Sequence, residues 1–376
     1  MTTHAVRLET ADAAVTVISA ERAVTDWSAR YFGPWWKAAE VRPESACTGP
    51  LVIAEVNPET YADTALAVTK ARHTSTTYAK AQMLLANDLD AGVIRGVCPE
   101  EALAYRSEPD AASLLIFGCD PEPVAIATAR LAREVMRGML LRDGWSVLHA
   151  SAVVQDGRVV LTFGRKGAGK TTTALALAHW HGFGLLANDR VFVRPNDGGG
   201  MDVLPWPSAA AIGLGLLDAL GWFDVARERL AGGEALHPTQ DKRVTEALLA
   251  GLREPLWEDS KELKVQVFPD QFVRWFSLPL ATDGEAAALI FPRIEAGAAP
   301  ASEQRSRSLG EHDFMSGKTE DRYPDVFELA RVDGGGTAES RQEAARCLAA
   351  LPHHSVVLGH DLAANADFLA KLAGSA

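Results

Sequence analysis

Eight consecutive residues, Gly164-Arg165-Lys166-Gly167-Ala168-Gly169-Lys170-Thr171, have the types and spacing of a phosphate-binding loop. Glycines let backbone N–H groups close around phosphate oxygens, and a helix starting at the loop's end points its positive pole at them. Lys170 would bring a mobile cation to β- and γ-phosphates, and the Thr171 hydroxyl is a hard oxygen suited to Mg2+. Thr172 follows on the first helical turn, within reach of the same phosphates. Two further residues are candidates for chemistry. Asp189 is a carboxylate able to hold a metal or to accept the proton of an attacking hydroxyl, and His149 is an imidazole able to meet a phosphate or that hydroxyl. The alternatives are structural: a ligand-free glycine turn, a surface aspartate and a buried histidine.

These residues need elements to hold them. The apolar run Val159–Phe163 predicts a strand entering the loop, and the Ala/Leu-rich run Thr171–Ala178 predicts a helix leaving it. Upstream, Trp145–Val154 is strand-like and is joined to Val159 through Gln155-Asp156-Gly157-Arg158. Asp-Gly between two β-rich runs signals a tight hairpin, so the loop strand is expected to pair antiparallel with a strand carrying His149. An ordinary mononucleotide-binding unit instead links its loop strand to a parallel neighbour through a helix. Phe183–Ala187 predicts another strand, ending at Asn188-Asp189-Arg190, where a metal-linked carboxylate is expected. A second hairpin is expected to turn at Asn196-Asp197-Gly198-Gly199-Gly200.

Leu148-His149-Ala150-Ser151, the Asp-Gly hairpin, the loop Gly164–Thr171 and the turn Ala187-Asn188-Asp189-Arg190 together resemble the C-terminal catalytic domain of the HPr kinase family. More narrowly, they resemble HPr-kinase-like peptide serine kinases of the lasso-peptide type. The match spans Trp145 to Leu204, and a looser likeness continues through Lys264–Pro269 and Leu289–Arg293. The resemblance implies an α/β fold with a mixed-sheet P-loop kinase core, related to phosphoenolpyruvate carboxykinase, preceded by a smaller α+β domain. It implies ATP- and Mg2+-dependent transfer of a γ-phosphate to a hydroxyl, serine first, on a peptide, protein or small molecule. Carried onto this sequence, it gives the triphosphate to Gly164–Thr171, an active-site imidazole to His149 and a metal-linked or catalytic carboxylate to Asp189. Homo-oligomers are expected from the resemblance alone. Two positions depart from the pattern: Asn188-Asp189 stands where two acids are usual, and Thr172 where an acid is common. The Arg-Gly-Leu-Gly-like signature of dephosphorylating relatives has only a faint echo in Ala211-Ile212-Gly213-Leu214-Gly215.

Length and composition set the frame. With 376 residues the chain has room for two domains, expected at 1–144, with a role in substrate recognition, and 145–376, carrying the kinase core. A formal net charge of −12 argues against a nucleic-acid or anionic-membrane partner. Cys47, Cys98, Cys119 and Cys347 are scattered without Cys-x-x-Cys spacing, as suits a reducing compartment. The start Met1-Thr2-Thr3-His4 lacks the pattern of a signal peptide, and the apolar stretch Ala209–Phe223 contains Asp218 and is short for a membrane span. A cytoplasmic protein is expected.

Pro121-Glu122-Pro123 opens a helix that Gly144 closes, with Val124, Ala127, Leu131, Val135 and Met139 as its apolar stripe. Arg130, Arg133 and Arg137 fall off the stripe and are expected on a solvated face. Trp35-Trp36 is read as core, with a recognition surface as the alternative. Residues 297–317 have no period and are expected as a loop. Lys264 and Arg274 are read as surface cations, the alternative being a second charge for the γ-phosphate. His353-His354 would point to opposite faces of a strand and are not read as a metal pair. No Asn/Thr-Lys-x-Asp guanine-reading motif is present. Two other readings of the loop remain: an NTPase switch that transfers no phosphate, and a nucleotide-binding protein without turnover.

Overall fold

The computed structural model describes residues 2–45, 49–304, 307–315, 324–332 and 334–374. Cys47 and residues 305, 306, 316 and 317 of the expected loop lie outside the described residues. The chain divides into two compact units, Met1–Ser146 with Met315–Ala338, and Val147–Phe314 with Glu339–Ala376.

The first unit contains strands β1 (His4–Thr10), β2 (Ala13–Ser19), β3 (Ala39–Val41), β4 (Leu51–Val56) and β5 (Thr74–Tyr78). Four more follow: β6 (Ala81–Asp88), β7 (Val93–Cys98), β8 (Leu103–Glu108) and β9 (Ser113–Gly118). They form one sheet in the order β3-β1-β2-β4-β9-β8-β7-β6-β5. The sheet is mixed: β4 runs parallel to β2 and β9, and the pairs from β9 to β5 are antiparallel. Helices α1 (Arg22–Phe32), α2 (Pro58–Lys70) and α3 (Pro121–Arg142) pack on it. Phe117 belongs to a cluster with Val68 of α2, whereas a Cβ on the next residue, Gly118, would stand 2.5 Å from Val124 of α3. Successive strand residues point to opposite faces, so α2 and α3 cover opposite sides of the sheet. Trp35 and Trp36 are fully buried, and Trp36 stacks on Phe32 at 5.0 Å.

α3 begins and ends where the sequence predicts, with prolines in its first turn and its C-cap at Asp143, just before Gly144. Its three off-stripe arginines are not solvated. Arg133 and Arg137 are 8% and 1% exposed, and Arg137 Nε meets the buried Glu134 carboxylate at 2.8 Å. Arg130 pairs with Glu101 at 3.8 Å. The cause is non-local. Arg137 also donates to Gly334 O, Gly138 has its Cα against the Leu329 carbonyl, and Ser107 Oγ donates to Phe327 O. Residues 324–331, distant in sequence, thus cover the face that periodicity assigned to water.

The second unit is built on a sheet of β10 (Ser146–Leu148), β11 (Ser151–Gln155), β12 (Arg158–Thr162), β13 (Gly184–Ala187), β14 (Val191–Pro195) and β15 (Met201–Pro205). Further strands are β16 (Ala210–Ile212), β17 (Leu256–Glu258), β18 (Lys261–Leu263), β19 (Val265–Val267), β20 (Gly284–Ile294), β21 (Ala301–Ser302) and β22 (His353–Leu358). The main order is β10-β14-β15-β20-β12-β11-β13, with β22 also paired to β20. β20 is parallel to β12 and β22, so this sheet too is mixed. Its helices are α4 (Lys170–His181), α5 (Leu214–Ala219), α6 (Phe223–Ala231), α7 (Lys242–Leu249), α8 (Pro269–Phe276), α9 (Ala338–Ala349) and α10 (Leu362–Gly374). α4 packs on β11, β12 and β13, and α10 packs on α4.

The architecture is mixed α/β throughout. Within 297–317 the described residues include β21, paired with β22, and a 3-10 turn at Glu311–Asp313. Among the described residues, no helix is long and apolar enough to cross a membrane.

Candidate phosphate-binding site

The Asp-Gly hairpin forms as the sequence predicts: β11 pairs antiparallel with β12, Gln155 opposite Arg158. Asp156 and Gly157 both have positive φ, 50° and 78°, as a type I′ turn requires. β13 pairs antiparallel with β11, Ala187 opposite Ala152. The chain therefore leaves β12, leaves β13 and enters β11 at one end of the sheet. That register gathers three separated segments: Gly164–Thr171 after β12, Asn188-Asp189 after β13, and His149 just before β11.

Each glycine of the loop meets a different demand. Gly167 and Gly169 have φ of +85° and +97°, a region where a Cβ is strained. A Cβ on Gly164 would lie 2.6 Å from the Cβ of Ala168, and one on Gly169 would lie 2.8 Å from Ile294 Cδ1. Gly169 then caps α4, accepting at its carbonyl the bond from Thr173 N at 2.8 Å. Lys170 Nζ donates to Gly164 O at 2.7 Å, bridging the loop from its last turn to its first residue. Arg165, Lys166 and Gly167 at the tip are exposed, while Ala168 through Thr172 are half-buried. Behind the loop, Phe163 is fully buried and stacks on Phe291 at 5.8 Å.

Two hydrogen bonds fix α4 against its neighbours. Ser151 Oγ, at the start of β11, donates to Lys170 O at 2.7 Å. Thr171 Oγ1 donates to Asn188 O at 3.3 Å, tying the loop hydroxyl to the residue before Asp189. Asn188 is 5% exposed, and its side-chain oxygen accepts from Ser208 Oγ at 3.2 Å. It holds the turn rather than presenting a polar group to solvent. Asp189 is the outward-facing member, its side chain 52% exposed and 3.9 Å from Arg190 Nε. Arg190 in turn lies over the Trp206 ring at 5.6 Å. Sequence reasoning passed over Ser151 and Ser208 as positioning groups, because their partners, Lys170 O and Asn188 Oδ1, lie on other segments at spacings that the sequence does not mark.

His149 is placed differently from expectation. The run 145–154 is not one strand. It breaks at His149-Ala150 into β10, which pairs with β14, and β11, which lies between β12 and β13. In a flat sheet strands five places apart would be about 24 Å apart, yet the link from Leu148 to Ser151 spans at most about 11 Å. The sheet must curl, and His149 sits at the kink. Its N–H donates to Asp313 O at 2.7 Å, and its Nε2 is shielded from solvent. Asp313 is itself buried and ion-paired with Arg307.

Lys264 and Arg274 are engaged as surface cations, Lys264 with Glu262 at 3.5 Å and Arg274 with Asp270 and Glu234 at 3.0 Å each. At the far end of α4, His179 stands edge-on to Trp222 at 5.5 Å, and partial burial lowers its pKa. Among the described residues, no cluster of three or more His, Cys, Asp or Glu is arranged to hold a metal.

No protein-family model and no curated protein matches the chain. Solved structures do match. One of them is the Hpr(Ser) kinase/phosphatase from Coxiella burnetii, at 15% identity, 40% coverage of this chain and a TM-score of 0.21. The matched region spans 60% of the length of that structure. At that score the likeness carries no argument, and the reading below rests on this chain's own geometry.

Proposed function

We propose that the chain is an ATP- and Mg2+-dependent kinase that transfers a γ-phosphate to a hydroxyl, serine first, on a peptide, protein or small molecule. The observation that carries this reading is the 3.3 Å bond from Thr171 Oγ1 to Asn188 O, which ties the hydroxyl of the glycine loop to the backbone of the turn that bears Asp189. A site that only held a nucleotide would need the loop but not an adjacent solvent-facing carboxylate.

The loop fits a polyphosphate on its own geometry, since Gly167 and Gly169 take positive φ, Gly164 lets the loop close tightly on Ala168, and α4 begins at its rim. Thr171 and Asp189 offer the hard oxygens that Mg2+ prefers. Bound MgATP would supply the transferable phosphoryl group and part of the neutralising charge. The chain's own share is positioning and electrostatics, which dominate phosphoryl transfer. Backbone N–H groups of 164–171 and the Lys170 ammonium bind and orient the anionic groups. Asp189, facing solvent, receives the acceptor's hydroxyl proton at a carboxylate oxygen. Ser151 and Asn188 hold α4 and the Asp189 turn in register. His149, fixed through its backbone to Asp313, lends its ring to the same end of the sheet. The first unit serves acceptor selection in this reading.

The test is transfer of label from γ-labelled ATP with Mg2+ to serine-containing peptides and free serine. Stable label on an acceptor is expected, reduced by about 10²–10³-fold in Lys170→Ala and lost in Asp189→Asn. Label appearing only as free phosphate would replace the kinase with an NTPase. Tight ATP binding without turnover, indifferent to Asp189→Asn, would reduce the site to a nucleotide holder.

A further inference from the structure

A concave site lies wholly within the first unit, which does not include the glycine loop. It is a cavity of about 260 Å³ whose walls include Leu51, Leu114, Val135 and Leu329. Two guanidinium groups, Arg142 and Arg331, also line it, as do the acids Asp110 and Glu328. Pockets for drug-sized ligands start near about 300 Å³, so this one suits a smaller molecule or a single side chain.

The two cations are not equivalent. Arg331 donates to Asp110 at 2.8 Å, and Asp110, Glu328 and Asp325 all hold its pKa up. Arg142 faces a different field. Its Nη1 donates to the carbonyls of Leu329 and Ala330 at 2.8 and 3.0 Å, and among the described residues it makes no ion pair. The Asp325 carboxylate, the acid nearest in effect, already accepts from the N–H groups of Leu329, Ala330 and Arg331. Partial burial, then the charge of Arg331, push the pKa of Arg142 down. A guanidinium carries donors on three nitrogens, so Nε and Nη2 remain for a ligand.

The turn that presents this arrangement is strained. Glu328 and Arg331 adopt φ of 54° and 53°, a left-handed conformation uncommon for such residues; Glu328 N–H donates to the Asp325 backbone carbonyl and Arg331 N–H to its carboxylate. Arg142, which among the described residues makes no ion pair, stands beside Arg331 and apolar walls and is stabilised by an incoming anion.

We propose that this cavity binds the carboxylate of a small acid with an apolar skeleton, its charge on Arg142 and its skeleton against Leu51, Leu114 and Val135. The same chemistry is offered by a free organic acid and by a peptide's C-terminus. The site is independent of the kinase reading and stands or falls without it.

The test is calorimetric titration of the full chain with hexanoate, with N-acetyl-leucine as the peptide-terminus form, and with the uncharged isostere hexanamide. Saturable binding of at least one acid is expected, with hexanamide weaker by about 10-fold or more, as loss of a charge-assisted bond implies. The tighter of the two acids identifies the source. Arg142→Gln is expected to weaken the acid by a similar factor while leaving MgATP binding unchanged. Because that substitution also releases the Leu329 and Ala330 carbonyls, the acid-to-amide ratio in the unmodified protein is the independent measure. The proposal is overturned if neither acid saturates, if hexanoate and hexanamide bind alike, if Arg142→Gln binds as before, or if inorganic phosphate binds as well as hexanoate.

Discussion

The three loop glycines can be told apart by alanine substitution, because each excludes a side chain for a different reason. At Gly167 a Cβ meets nothing within 4 Å, so Gly167→Ala carries only the torsional penalty of φ +85°, about 1–2 kcal/mol. Gly164 has no positive φ, but its Cβ would be 2.6 Å from the Cβ of Ala168. Carbon atoms rest at about 3.5–4.0 Å, so the loop must open by about 1 Å. A methyl has no rotamer with which to yield, and overpacking of this kind costs about 1–3 kcal/mol. Gly169 combines both effects, φ +97° and a contact of 2.8 Å to Ile294 Cδ1, although that side-chain tip can move. Its substitution is expected to cost about 2–4 kcal/mol, the sum of a torsional and a reduced packing term. Urea unfolding would give the stabilities, and calorimetry with MgATP the affinities. The expected order of destabilisation is Gly169→Ala, then Gly164→Ala, then Gly167→Ala, with MgATP affinity falling most in the first two because the cradle itself opens. Should Gly167→Ala prove the costliest, or Gly164→Ala cost less than about 0.5 kcal/mol, the reasoning from loop geometry is refuted.

Two further predictions concern stability. Glu134→Leu leaves the buried guanidiniums of Arg133 and Arg137 without the carboxylate they share, at 3.5 and 2.8 Å; breaking such a pair from one side is expected to cost about 3–5 kcal/mol, and a shift below about 1 kcal/mol in denaturant unfolding would show that α3 does not depend on it. In the second unit, a hydrogen bond from Trp275, opposed by burial but joined by the charges of Arg274 and Arg229, holds Glu234 below the ordinary carboxylate pKa. A depressed folded-state pKa contributes stability that is fully present above the unfolded value and lost as pH falls through the folded one. The unfolding midpoints of the unmodified protein and Glu234→Gln should therefore differ by a constant amount from pH 7 to about 5 and converge below about 4.5; a gap that widens on acidification would reverse the assignment.

The hairpin at Asp156-Gly157, the glycine loop, the start of α4 and both ends of α3 were legible in the sequence. Each is set by a few adjacent torsions: positive φ at Gly157 and Gly169, a proline-compatible first turn at Pro121, and a glycine just beyond the last turn at Gly144. Such preferences are local, so the order of residues carries them. Two other features depend on partners more than a hundred residues away, and a third on a partner 20 residues away. Periodicity assigned Arg133 and Arg137 to water, whereas residues 324–331 fold over that helix face and bury them. Spacing gave His149 a place within a strand, whereas closure of a curled sheet against Asp313 breaks the strand there. Asn188 read as an acid missing from a pair, and its side chain instead packs inward against Ser208. By itself the sequence determined the loop, its flanking strand and helix, and the residue types able to handle a phosphate. Tertiary structure alone decided which of those residues share one end of a sheet, which charges are buried, and that Arg142 makes no ion pair among the described residues, because burial and electrostatic field at a residue are sums over neighbours that chain order does not specify.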